Sequence, residues 1–219
     1  MLSTFKKDVF ILLIVVLPFA VLPFWWTQFP DRVAIHFDVD GNPNGYAGKF
    51  AGLVVPALLN VGLYFFLVLL PRFDPSAKNY NLFEGPFRIM RLFTHLLLTF
   101  VCGVIYTYGL GYRFNMTTYI LYGLPVFFMI LGNYMGTVRP NHFVGIRTPW
   151  TLTNEVVWRR THRLTARLWV AASIAVLGLL PFVNGRVTLL LVYTAVLAII
   201  PMVYSYVVYR RLQQTPPEV

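Results

Sequence analysis

The chain has 219 residues, 58% hydrophobic and only 12% charged, with a mean hydropathy of +0.65 and a formal net charge of +10. A water-soluble domain carries about 25% charged residues, so this composition excludes a protein whose whole surface meets water. It predicts an all-α fold, a polytopic membrane helix bundle. The positive charge is spread over separate loops, which marks it as a topology signal and speaks against direct nucleic-acid binding.

Six charge-free runs are long enough to cross a hydrocarbon core of roughly 30 Å, which needs about 20 apolar residues in helical form. The first, 9–28, follows Lys6 and Lys7 and ends on Pro23-Phe24-Trp25-Trp26. That interfacial aromatic pair, with no small-residue cleavage site, makes it an anchor and not a signal peptide. A polar segment at 27–49 follows. Val33, Ile35, Phe37 and Val39 alternate with Ala34, His36, Asp38 and Asp40, which predicts a short strand. The Asp40–Gly45 stretch is dense in turn residues. Asp38, Asp40 and Asn42 resemble the start of a calcium loop, but Pro43 stands where a glycine is needed and Lys49 where a bidentate glutamate is needed. No metal is assigned there. The segment's candidate functional residues are Pro30, His36, Asp38, Asp40, Gly41, Gly45 and Lys49.

The second run, 50–70, leads into a segment at 71–91 that carries Arg72, Lys78, Arg88 and Arg91. The third, 92–112, holds the lone Cys102 and His95, the one ionisable residue expected well inside a span. An ionisable group at that depth is a functional candidate by default. Arg113 alone separates it from the fourth run, 114–138, and Arg186 alone separates the fifth, 168–185, from the sixth, 187–209. A centrally placed Arg costs about 2.5–3.5 kcal/mol on insertion, so each Arg marks a tight helical hairpin. Gly132 and Gly136, and the set Ala171, Ala175 and Gly178, offer small-residue faces for helix contact.

With the amino terminus inside, 14 of the 18 Lys and Arg residues fall on the inner side. The positive-inside rule therefore predicts six transmembrane helices with both termini cytoplasmic.

On that topology the segment 137–167 is cytoplasmic. Pro140 and Pro149 predict extended or turned backbone, then Thr151 or Thr153 caps a helix with Glu155 in its first turn. Glu155, Trp158, Arg159 and His162 share one face of that helix, with Glu155 and Arg159 at ion-pair spacing. Two readings stay open: an amphipathic helix on the inner leaflet, or a docking surface with exposed Arg and Trp anchors. The candidate partner-binding residues are Asn133, Arg139, Pro140, Asn141, Gly145, Arg147, Thr148, Trp150, Asn154, Glu155, Trp158, Arg159, His162 and Arg163.

No nucleophile elbow, metalloprotease motif or phosphate loop occurs in the sequence, so neither catalytic residues nor cofactors are assigned. A transporter or membrane-embedded enzyme using His95 and His162 is the alternative. Its support is the set Pro18, Pro23, Pro56, Pro125, Pro181 and Pro201, which free backbone carbonyls within apolar runs.

The stretch from Arg139 through Arg147, Trp150, Asn154, Glu155 and Trp158 to Arg163 resembles the signature of the SdpI family of bacterial membrane proteins. Pro30 to Phe37 and Gly41 to Lys49 are similar to the uncharacterised extracytoplasmic domain that precedes it. The resemblance implies a toxin-immunity protein of the bacterial cytoplasmic membrane. Its partners would be the lipid bilayer, a secreted peptide toxin and a cytoplasmic repressor drawn to the membrane. It also implies three parts: a helical hairpin with an outer loop (1–70), a cytoplasmic linker (71–91) and a four-helix SdpI-type domain (92–219).

Overall fold

A computed structural model describes residues 6–214. Among them are seven α-helices and one two-stranded sheet. Helix α1 is Val9–Trp25, extended by a 3-10 turn at Trp26–Gln28; α2 is Lys49–Phe73, and a second 3-10 segment covers Ala77–Phe83. Then come α3 (Glu84–Gly109), α4 (Met116–Met135), the short α5 (Pro149–Thr153), α6 (Glu155–Leu179) and α7 (Arg186–Gln214). Five of these segments are long and apolar enough to cross a membrane: Val9–Gln28, Lys49–Phe73, Ala77–Gly109, Met116–Met135 and Arg186–Gln214. The expected run 168–185 falls on the second half of α6 and the turn after it. The charged first half of α6, with Arg159, Arg160, Arg163 and Arg167, sets it apart from those five.

The chain divides into two units, 1–68 with 91–123, and 69–90 with 124–219. In the first, Leu22, Phe29, Val33, Leu53, Ala57, Cys102, Ile105 and Tyr106 form a buried core. Tyr106 donates its hydroxyl to the Leu53 carbonyl at 2.8 Å. Pro18 has no N–H to give the carbonyl of Ile14, and the Thr99 hydroxyl donates to that carbonyl at 3.0 Å.

The strand expected at 33–39 is β1 (Arg32–Phe37), paired antiparallel with β2 (Pro43–Gly48). The expected alternating face is not kept. Val33 and Ala34 are both buried while Ile35 and Val39 are exposed, because the register slips between Ala34 and His36 and a bulge turns the following side chains. The turn also sits earlier than expected. Asp38 Oδ1 accepts from the backbone N–H of Asp40 and Asn42 at 3.0 and 2.8 Å, so Pro43–Gly48 becomes strand.

In the second unit α4 and α6 approach closely at Gly132, where a Cβ would lie 2.8 Å from Trp169 Cβ. Gly178 has open space around it, and Ser173 and Val176 turn inward in its place. Pro201 repeats the pattern of Pro18: it cannot bond the Leu197 carbonyl, which accepts from Trp169 Nε1 at 3.0 Å.

Candidate functional site

The residues between α4 and α6 form an ordered, internally bonded loop. Its first turn is organised by Asn141, 1% exposed. Its amide Nδ2 donates to the carbonyls of Arg139 and Val144, and its Oδ1 accepts from the N–H of Phe143 and Val144. Two segments distant in sequence fasten it. Asp74 accepts from the His142 backbone N–H at 2.9 Å and from the His142 ring at 3.0 Å, and also from Ser76 and Tyr80. Asn79 donates to the Pro140 carbonyl at 2.7 Å. Burial pushes the Asp74 carboxyl upward, but these donors favour the charged form and hold it below the usual carboxylate range.

Gly145 follows at φ +111, where a Cβ would strike His162 Nε2. Only glycine fits both that backbone and that contact. The neighbouring Ile146 N–H donates to His162 Nε2 at 3.1 Å, and His162 Nδ1 bonds the Trp158 carbonyl at 2.9 Å. The two bonds define a neutral imidazole, protonated on Nδ1. Burial pushes this ring, which precedes the apolar run 168–185, down to about 4. His162 stacks on Trp158 with ring centroids 4.1 Å apart, and Trp158 Nε1 donates to the Val138 carbonyl at 2.8 Å.

Two caps then restart the helices. Thr148 and Thr151 form a reciprocal capping box on α5, with Thr148 also bonded to Ser205 at 3.0 Å. Asn154 accepts from Val156 and Val157 at the start of α6. The caps are thus Thr148 and Asn154 rather than Thr151 or Thr153. Their side-chain oxygens face the free N–H groups of a first turn, whereas Thr151 Oγ1 donates back to Ile146.

The signature residues therefore split by direction. Asn141, Thr148, Trp158 and His162 are buried and build the loop. Asn133, Arg139, Arg147, Glu155, Arg159 and Arg163 are exposed, with Pro140, Gly145, Trp150 and Asn154 half-buried. The exposed Trp anchor expected at 158 is absent, because its ring and N–H are both used internally. Trp150 packs its ring on Tyr206 at 5.0 Å. Glu155 and Arg159 share no ion pair: both are exposed, where such pairs gain little.

In the first unit, Pro30, His36 and Asp40 are exposed on the hairpin, and Asp38 and Gly45 are half-buried. His36 bonds Asn44, Lys49 Nζ donates to the Phe29 carbonyl at 2.9 Å, and Gly41 is buried beside Asn115. Asn115 and Thr117 donate to the carbonyls of Asp40 and Asp38, which pins the turn to the start of α4. Among the described residues no three His, Cys, Asp or Glu side chains gather as a metal site.

His95, unexposed, has a partner the sequence did not reveal: Asn60 Oδ1 at 2.7 Å from Nδ1. Asn60 Nδ2 in turn donates to Thr99, whose hydroxyl ends on Ile14. A further polar pair, Arg91 with Asp8, is 6% and 1% exposed, and Tyr64 also donates to Asp8. Arg91 was expected on the cytoplasmic surface, but Asp8 draws it inward. Asp74, Asn79 and Tyr80 were missed as well. The signal available was an acidic residue before Pro75 in a basic segment.

Residues 137–205 match the SdpI/YfhL protein family, and residues 13–60 match DUF1648, a domain of unknown function. The chain is 26% identical over 211 residues to "Immunity protein SdpI" of Bacillus subtilis (strain 168), covering 94% of this chain and 98% of that protein. No solved structure matches. The family region begins one residue before Val138, which receives the Trp158 N–H, and ends at Ser205, which meets Thr148. The chain is thus a protein of the bacterial cytoplasmic membrane that crosses it more than once and carries an SdpI/YfhL-family region at 137–205.

Proposed function

We propose that the chain is a non-enzymatic immunity protein that protects its cell from a secreted antimicrobial peptide. The observation that carries this reading is the similarity to an immunity protein along almost the whole of both chains. Six spans with both termini cytoplasmic put the β1–β2 hairpin outside, where a secreted peptide arrives, and the 137–167 loop inside. The hairpin is suited to contact because its turn is fixed by Asn115 and Thr117 while Ile35, Val39 and Tyr46 remain exposed. The inner loop presents Arg139, Arg159 and Arg163 on a rigid base, a surface suited to holding an acidic face of a cytoplasmic repressor.

Two assays separate the halves. Cells expressing the chain are challenged with a panel of membrane-active peptides from spore-forming bacteria. Protection from at least one peptide, weakened by Ile35→Asp with Tyr46→Asp, supports the immunity half, and survival equal to empty vector for all of them removes it. For the inner half, a co-expressed repressor should leave the membrane fraction when Arg139, Arg159 and Arg163 become Ala. Unchanged fractionation would make the loop structural only.

A further inference from the structure

The second unit holds a cavity of about 310 Å³, lined by Phe128 of α4, Gly145–Arg147 of the loop, Trp169 of α6, and Thr194, Leu197, Ala198 and Met202 of α7. That size is at the lower end of the roughly 300–1,000 Å³ typical of small-ligand sites. Its walls are mostly hydrocarbon and aromatic ring, and its two neutral polar side chains are already engaged. Trp169 Nε1 donates to Leu197, and the Thr194 hydroxyl donates to Leu191 at 2.9 Å. Arg147 is different. Its Nη1 donates to the His142 carbonyl at 2.8 Å, and among the described residues no carboxylate pairs with it. A guanidinium has five N–H donors, so the cavity combines an apolar interior with an unneutralised cation.

We infer that this cavity binds an anionic phospholipid, with part of one acyl chain among Phe128, Trp169, Leu197 and Met202 and the phosphate on Arg147. Charge complementarity favours an anion over a zwitterion. Residues 147–167 carry five arginines against the single Glu155, and basic pockets between membrane helices take anionic headgroups. Position favours a bilayer lipid over a soluble ligand: Ile199, Ile200, Met202 and Val203 of α7 are exposed apolar residues of a candidate span. A guanidinium also fits a phosphate in bidentate fashion, which an ammonium cannot do. This site does not depend on the immunity reading.

The test uses the full chain in neutral detergent, titrated with phosphatidylglycerol brominated on its acyl chains and read by tryptophan quenching. A quenched component should be present in the native chain and missing in Trp169→Phe. Arg147→Gln should weaken binding roughly fivefold or more, Arg147→Lys should fall between that variant and the native chain because it keeps the charge and loses the bidentate contact, and Ala198→Leu should exclude the acyl chain by filling the cavity. Brominated phosphatidylcholine binding as tightly as phosphatidylglycerol overturns the proposal. So does quenching by a brominated fatty acid, or displacement by a hydrophobic peptide carboxylate, where phosphatidylglycerol itself fails to bind. Arg147→Gln and Ala198→Leu both leaving the affinity unchanged would place the lipid elsewhere and also overturn it.

Discussion

His162 accepts the Ile146 N–H on one ring nitrogen and donates to Trp158 from the other, so only the neutral ring satisfies both. Its value is lowered to about 4 by burial, against about 6.5 unfolded. Between those values the unfolded chain binds the extra proton, so folding stability falls as pH drops through that window and is complete above about 6.5. The protection factor of the Ile146 amide, its exchange corrected for the intrinsic pH dependence, should therefore fall between pH 7 and pH 5, and His162→Gln should flatten that dependence. A protection factor that ignores pH in the native chain would contradict the assigned tautomer. Asp74 acts in the same direction at lower pH. Its depressed carboxyl contributes above the unfolded value of about 3.9 and is lost only below it. In the other unit, Asn60 bonds Thr99 through its amide nitrogen, so its oxygen must accept from His95. Nitrogen-15 spectra of labelled histidine should show His95 protonated on Nδ1; an Nε2–H tautomer would mean the chain of bonds runs the other way.

Proline is the organising feature at the level of elements. Pro18 and Pro201 each leave one carbonyl without its helical donor, and the side chains of Thr99 and Trp169 supply the replacement. Trp169→Phe keeps the ring and removes the N–H, so it should cost about 1–3 kcal/mol through the unsatisfied Leu197 carbonyl. Adding Pro201→Ala restores an amide donor, and the cost of Trp169→Phe should then shrink in a double-mutant cycle read by thermal unfolding in detergent. Equal costs in both backgrounds would contradict this pairing. Those occupied carbonyls also weaken the transporter alternative, which needed them free for a substrate or ion. Long apolar helices were legible in the sequence because lipid demands unbroken hydrocarbon length. The partners of those helices were not. Asp74 reaches residue 142 and Asp8 reaches Arg91 across separations that no periodicity encodes. The hairpin was half legible: alternation marked β1, but the bulge after Ala34 and the Asp38 turn depend on pairing with β2. In the inner loop, residue identity marked the site, while the inward direction of Trp158 and His162 came only with the Val138 and Ile146 backbone bonds.

For the whole molecule, two proposals are joined: a topology read from the basic residues and a protective function inferred from likeness. Reporter fusions should place both ends of the chain in the cytoplasm and a tag in the 38–42 turn outside; an external carboxyl terminus would leave five spans and remove the 168–185 run from the set. The buried Asp8–Arg91 pair belongs to this scale too, because it ties α1 to α3. Asp8→Asn or Arg91→Gln alone should destabilise by about 3–5 kcal/mol, with partial recovery in the double variant. Protection itself is tested most directly by survival. A peptide-sensitive bacterium carrying the chain is exposed to graded doses of each secreted peptide in the panel, beside the empty vector and the Ile35→Asp, Tyr46→Asp variant at matched membrane levels. The account predicts a rightward shift of the killing curve for at least one peptide, lost in the hairpin variant; coincident curves for every peptide would contradict it.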